Sequence, residues 1–225
     1  MRSEYGVLFG RSEAELGFRS YDPYLTALGE TSYALPKRLA AFGYRSLFVH
    51  PHDMRFYGRD RLMPASGFDA LIGDGAFPPV SPGHRYVSDE TLGAKLCDLI
   101  DNAPGRTLIY AVTMENHGPW IRDAKTGSHG GIGAYLHHLR HSDAMLSRLI
   151  DHLAGTGRPA LLVFFGDHRP SIPGVTRPGG DRHTPYVVMH FSADGKLVQH
   201  SGQPIDMTPA TLHHVVLDSA LVGRT

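Results

Sequence analysis

An aspartate and a histidine, Asp167 and His168, stand side by side where the apolar run ALLVFF ends on Gly166. A strand-to-helix connection needs only a turn former and a cap, which Gly166 and Asp167 would supply without the imidazole. An anionic oxygen beside a neutral ring nitrogen is instead the pairing that a divalent metal takes. Two other apolar runs end on comparable chemistry, VHPHD at residues 49–53 and MENHGPW at 114–120. The first carries the His-x-His of His50 and His52, a spacing also used by barrel-type metal hydrolases, and is followed by FYGRDR with Arg59 and Arg61. On spacing alone Arg59 is either a solvated charge or a bidentate fork for a phosphate. His117 either holds a Gly-Pro turn or touches substrate, with Trp120 as a wall. His183, in RHTPY, is either a further ligand or a loop residue. His137 and His141 lie four apart on a helical stretch, opposite its apolar stripe, and are expected to face solvent. The chain holds fifteen histidines in 225 residues, so many of them must be plain surface groups beside the few that do chemistry.

These clusters need elements to position them. PKRLAAF at 36–42 reads as a short helix with Pro36 in its first turn and Gly43 at its stop, followed by the strand SLFVH at 46–50. Ser88 caps a second helix with two acids in its first turn, and LIYAVTM at 108–114 is a second strand. The longest helix runs from about 133 to 154 on a stripe of Ile132, Leu136, Leu139, Leu146, Leu149, Ile150 and Leu153. ALLVFF and YVVMHF supply a third and a fourth strand, and Thr208 caps a last helix that has Pro209 at its first position. Strands alternating with helices in this way give an α/β domain with a largely parallel sheet. In such sheets ligands bind beyond the carboxyl ends of the strands, where the three polar clusters would meet.

At this length the chain is a single domain, residues 1–225, with 41% hydrophobic and 20% charged residues. Equal numbers of basic and acidic residues give no electrostatic footprint for nucleic acid. The single cysteine, Cys97, excludes an intrachain disulfide and is expected as a buried thiol. No apolar run approaches the roughly 18 residues of a membrane span, and the first twenty residues do not read as a signal peptide.

Taken in order, GYRSLFVHPHDMRFYGRDRLMPASGFD, YVSDETL, TMENHGPW, FFGDHRPS and IDMTPATL resemble the sulfatase-type branch of the alkaline phosphatase superfamily. The similarity is strongest to its lipoteichoic acid synthase-like and capsular polysaccharide-associated group, and it covers nearly the whole chain. It implies a divalent metal, Mn2+ or Zn2+, and a threonine nucleophile that takes up a phosphoryl group. On matching positions Asp167 and His168 become metal ligands, with His183 a further candidate from related branches. His50, Tyr57, Arg59 and His117 become substrate-phosphate contacts. Tyr57 stands where the lipoteichoic acid enzymes carry Trp, and Glu115 where they carry Thr, so the head group is left open.

The family's nucleophile lies four residues before the position matched by Glu4, which places it one residue ahead of Met1. Its metal-binding glutamate and its membrane helices lie further upstream still. The chain is therefore expected to correspond to the C-terminal part of the catalytic domain, to lack the first strand of the sheet, and to leave an exposed strand edge. Ser3 is the nearest hydroxyl and does not match the nucleophile's place. The expected activity is a metal-dependent phosphotransferase or phospho- or sulfo-ester hydrolase acting on a membrane or cell-surface glycan or glycolipid. It would need an N-terminal half, separately encoded or lost. The alternative is a non-catalytic remnant or anionic-glycan binding module. A true sulfatase is disfavoured by the lack of a Cys- or Ser-x-Pro-x-Arg stretch. The family works outside the cytoplasmic membrane, whereas this chain shows no signal for reaching it.

Overall fold

The structure is a computed structural model and describes residues 2–26, 29–120, 131–172, 174–176, 181–198 and 204–221. It opens with helix α1 (Arg2–Phe9), the short α2 (Glu13–Leu16) and α3 (Pro23–Thr26), and then α4 (Leu35–Ala40). Strand β1 (Arg45–Val49), α5 (Arg59–Ala65), β2 (Ala70–Ile72), α6 (Asp89–Asp101) and β3 (Thr107–Ala111) follow. The second half holds α7 (Ile132–Gly155), β4 (Ala160–Phe165), β5 (Tyr186–Phe191), β6 (Leu197–Val198) and α8 (Pro209–Leu221). Ser88 caps α6 by accepting the Thr91 N–H at 3.2 Å, and Thr208 caps α8 by accepting that of Thr211 at 3.0 Å, as their sequence positions predict.

The parallel sheet predicted from the strand–helix alternation is present as β2-β1-β3, with Leu47 opposite Ala70 on one side and Ile109 on the other. A second sheet, β4-β5-β6, is antiparallel, with Phe165 opposite Tyr186. Apolar runs such as ALLVFF and YVVMHF do not encode direction, so this antiparallel pair is new information from the fold. Among the described residues β3 and β4 do not pair with each other, so each is an edge strand of its own sheet.

Strand periodicity divides the core in two. Phe48 and Tyr110 face one cluster, with Tyr5, Leu8, Phe9, Leu39 and Leu212 from α1, α4 and α8. Val49 and Ile109 face the other, with Leu92, Leu96, Met145 and Leu149 from α6 and α7. Helices therefore cover both faces, as an α/β sheet requires. Cys97 is half-buried against the second cluster rather than fully enclosed.

The stripe expected on α7 holds only in its C-terminal half. Leu149 and Leu153 are buried with Met145 and Ser142, while Ile132, Leu136 and Leu139 are exposed. The helix turns a polar patch inward near its start, for a reason found in the site below.

α1 docks on α8 through two close approaches, Gly6 on Pro209 and Gly10 on His213. Gly10 follows α1 at φ +67°, and a Cβ there would lie 2.6 Å from the ring of the fully buried His213. His213 in turn donates from Nδ1 to the Val7 carbonyl at 2.9 Å. Gly10→Ala combines left-handed strain with this overlap, and is expected to cost about 2–3 kcal/mol in urea unfolding. A loss under about 0.5 kcal/mol would show that the contact relaxes freely.

Candidate active site

Three of the residues singled out in the sequence are brought together by the β4–β5 pair. Beyond Phe165 the Gly166 N–H donates to the Pro185 carbonyl at 2.9 Å, and the Thr184 hydroxyl donates to the Gly166 carbonyl at 2.6 Å. A Cβ at position 166 would stand 3.0 Å from that of Thr184, so a side chain there would press the two segments apart. The antiparallel register thus continues past the strand ends and sets the Asp167–His168 corner against Thr184 and His183. All of them line one cavity of about 690 Å³, which Ser3 also borders.

The two histidines of this cavity are prepared in the same way. His168 Nδ1 lies 3.0 Å from the Arg169 carbonyl, and His183 Nδ1 lies 2.5 Å from Asp181 Oδ1. Donation from Nδ1 leaves Nε2 as the lone-pair nitrogen, the arrangement by which outer partners orient a metal-binding imidazole. His168 Nε2 lies 3.5 Å from Asp167 Oδ2, so oxygen and nitrogen donors adjoin at the corner. The Asp181 carboxyl is held below its ordinary range, first by the His183 amide and then by its ring. Among the described residues no three His, Cys, Asp or Glu side chains converge on a single ion. The corner therefore fits one side of a divalent ion's shell, whereas catalytic sites usually draw three protein ligands.

The cavity is also rich in guanidinium. Arg2 Nη1 lies 3.3 Å from Glu13, which also binds Arg182, while Arg169 donates to the Asp181 carbonyl at 2.7 Å. These contacts are exposed or half-exposed, and an entering anion can compete for the same donors.

A second group is buried next to the first. Arg59 is 4% exposed, with Nη2 donating to Glu4 at 2.8 Å and Nη1 3.3 Å from His50 Nε2. Its guanidinium also lies over the Tyr57 ring at 5.3 Å. Tyr57 has φ 59° and is followed by Gly58 at φ 62°. These two left-handed residues bend the chain so that α5 starts with Arg59 directed inward. His50, fully buried at the end of β1, donates from Nδ1 to the Val112 carbonyl at 3.0 Å. Its pKa is lowered to about 4, chiefly by burial and then by the Arg59 charge. Burial also drives the Tyr110 hydroxyl well above its ordinary value, with the Glu4 charge adding to the effect and the Arg59 charge opposing it.

His117 is exposed and reaches this group only through other rings, Tyr86 at 6.0 Å, then His52 at 5.9 Å from Tyr86 and His50 at 5.9 Å from His52. Trp120, the expected wall, packs instead on Tyr135 at 5.6 Å and donates to the Asn116 carbonyl. His137 and His141 do not face solvent as the helical spacing predicts; both are half-buried, and His141 Nδ1 lies 2.6 Å from Glu115 Oε1. Buried Glu115 accepts the Asp89 N–H at 2.6 Å, and Ser142 links Asp89 to Asn116. This network is the reason why the start of α7 turns polar groups inward. Only the unusual Glu at position 115 hinted at it.

The comparisons with known proteins agree with this fold. The sulfatase family model matches residues 1–216. The capsular polysaccharide biosynthesis protein RkpI of Rhizobium meliloti is 33% identical over 205 residues, which is 89% of this chain and 38% of RkpI. The lipoteichoic acid synthase LtaP of Listeria monocytogenes superposes with a TM-score of 0.64 at 20% identity, over 83% of this chain and 52% of LtaP. The phosphoglycerol transferase GacH of Streptococcus pyogenes, solved with sn-glycerol-1-phosphate, gives 0.67 at 17% identity, over 84% of this chain and 54% of GacH. The chain thus spans about half the length of these structures, and less of RkpI.

Proposed function

The chain belongs to the sulfatase family, and from that premise we propose that it is the metal-corner and substrate-holding part of a phosphotransferase or ester hydrolase acting on an anionic cell-surface glycan or glycolipid. The observation that carries this reading is the shared cavity of Asp167, His168 and His183, with the Nδ1 of each histidine engaged. Asp167 and His168 would hold one side of a divalent ion, Mn2+ or Zn2+, with His183 the nearest candidate for a further ligand. A bound ion would lower a nucleophile's pKa and neutralise charge on phosphoryl oxygens. Members of the family generally depend on such ions. Arg59, His50, Tyr57 and His117 are proposed as the phosphate-binding set. Arg59 would then exchange part of its hold on Glu4 for an oxyanion.

The nucleophile and the remaining metal ligand are proposed to come from the share of the family's length that this chain does not span. RkpI is described as acting in capsular polysaccharide biosynthesis, which motivates a polysaccharide or its lipid-linked precursor as substrate. The enzyme would then work outside the cytoplasmic membrane; no helix among the described residues is long and apolar enough to cross it.

Titration of the purified chain with Mn2+ and Zn2+ in a calorimeter, beside Asp167→Ala, tests the metal corner. Binding in the micromolar range that Asp167→Ala abolishes is the expected result. Equal heats from both proteins would remove Asp167 from the site. A second reading, an anion-binding module without metal, is favoured by the cavity's three arginines. It predicts heat from glycerol phosphate with no metal present, undiminished in Asp167→Ala.

A further inference from the structure

His117 is exposed, but the turn that carries it is tied down on both sides. Before it, buried Glu115 reaches two helices. One of its carboxylate oxygens accepts the Asp89 N–H at 2.6 Å, and the other lies 2.6 Å from His141 Nδ1. Asp89 opens α6, so its N–H is one of the donors that a helix start leaves without an internal partner. Asn116 donates to the Ser142 hydroxyl, which donates in turn to the buried Asp89 carboxylate. The two routes meet at Asp89 and bridge the turn to α6 and α7 together. After His117, the Tyr86 hydroxyl donates to the Gly118 carbonyl at 3.4 Å, and Trp120 Nε1 donates to the Asn116 carbonyl at 3.2 Å. The His117 N–H closes the turn on the Met114 carbonyl at 2.9 Å.

Burying two carboxylates is unfavourable unless hydrogen bonds replace the lost water. Apolar side chains would join the turn to α7 without that requirement. A buried polar network does something they do not: it fixes one backbone conformation. We infer that Glu115 is a positioning residue for His117, holding the turn, with Asp89, Ser142 and Asn116, so that the ring donates from Nδ1 to the Gly118 carbonyl 2.8 Å away. A carbonyl only accepts, so Nδ1 carries the proton and Nε2 is presented with its lone pair outward. A ring without that bond favours the proton on Nε2, which would turn the wrong nitrogen outward. Glu115 acts through the backbone of the turn. The inference rests on the reading above that His117 meets the substrate phosphate, and adds what orients it.

NMR of the full chain with isotope-labelled histidine rings tests this at about pH 8, above the ordinary imidazole range. His117→Gln assigns the resonance, and the ring-nitrogen shifts report which nitrogen holds the proton. The unmodified chain is expected to show His117 in the Nδ1–H form. That form should be lost in Glu115→Ala and weakened in Ser142→Ala. Glu115→Gln should keep it, because its amide oxygen still accepts the Asp89 N–H. A purely structural Glu115 would change the melting temperature and leave this signature in place. An Nε2–H ring in the unmodified chain would overturn the inference. So would an Nδ1–H form that survives both Glu115→Ala and Ser142→Ala, or one lost from a folded Glu115→Gln. If Glu115→Ala does not fold, Ser142→Ala, which removes only a hydroxyl, decides. The spectra are read without metal or phosphate, so failure here leaves both calorimetric tests standing, and failure of those leaves the ring form to be read on its own.

Discussion

Glu4→Ala is expected to destabilise the fold by about 3–5 kcal/mol, because it leaves the Arg59 guanidinium buried without its carboxylate partner. Both side chains are only 4% exposed, and the bond is 2.8 Å long, so water cannot replace what is removed. His50 cannot take over. Its Nε2 already faces Arg59, and its protonated form is disfavoured beside a cation. Arg59→Met alone should also be costly, since it strands Glu4. The double variant should recover a substantial part of the loss, because an apolar pair needs no compensation in that setting. Urea unfolding followed by circular dichroism measures all three. A loss under about 1 kcal/mol for Glu4→Ala would mean that the guanidinium finds another partner in the free protein.

Acidification from pH 7 to pH 5 should lower the melting temperature. His50 and His213 are both held near pKa 4, in each case chiefly by burial. The unfolded chain takes up protons on these two rings near pH 6.5, while the folded chain refuses them until about pH 4. Stability therefore rises with pH across that window and is lost as pH falls. The upper limit is about 3 kcal/mol for each histidine. Asp89 acts in the opposite sense, its pKa raised to about 6, mainly by burial. Its folded form holds a proton that the unfolded form releases, so it favours folding more at pH 4 than at pH 6. Two histidines against one aspartate leave a net acid loss of the order of 3 kcal/mol. His213→Gln should flatten the slope of melting temperature against pH, even where it lowers stability at pH 7. A melting temperature that rises on acidification would contradict the burial of these rings as neutral groups.

What the sequence made legible was whatever is local. The Gly-Asp-His corner, the Ser88 and Thr208 caps and the strand–helix alternation each depend on residues a few positions apart. Arg59 was ambiguous because its partner, Glu4, lies 55 positions earlier in the chain. No periodicity links a helix at the start to one after β1. His137 and His141 were misread for the same reason. Helical spacing places them opposite the leucines, but Glu115 arrives from the loop after β3 and draws that face inward. The same network explains the exposed Ile132, Leu136 and Leu139, since a helix cannot bury both faces against one neighbour. The direction of β5 was hidden because an apolar run satisfies a parallel or an antiparallel partner equally well. That direction is nonetheless what brings His183 into the cavity of Asp167 and His168.

The first turn of α1 has two tenants facing different rooms: Ser3 borders the open cavity, while its neighbour Glu4 is locked against Arg59 in the interior. Successive helical residues are about 100° apart around the axis, so neither can turn without turning the other. Both side chains ride on one turn, so a substitution that re-orients α1 is expected to disturb the cavity rim and the buried ion pair together.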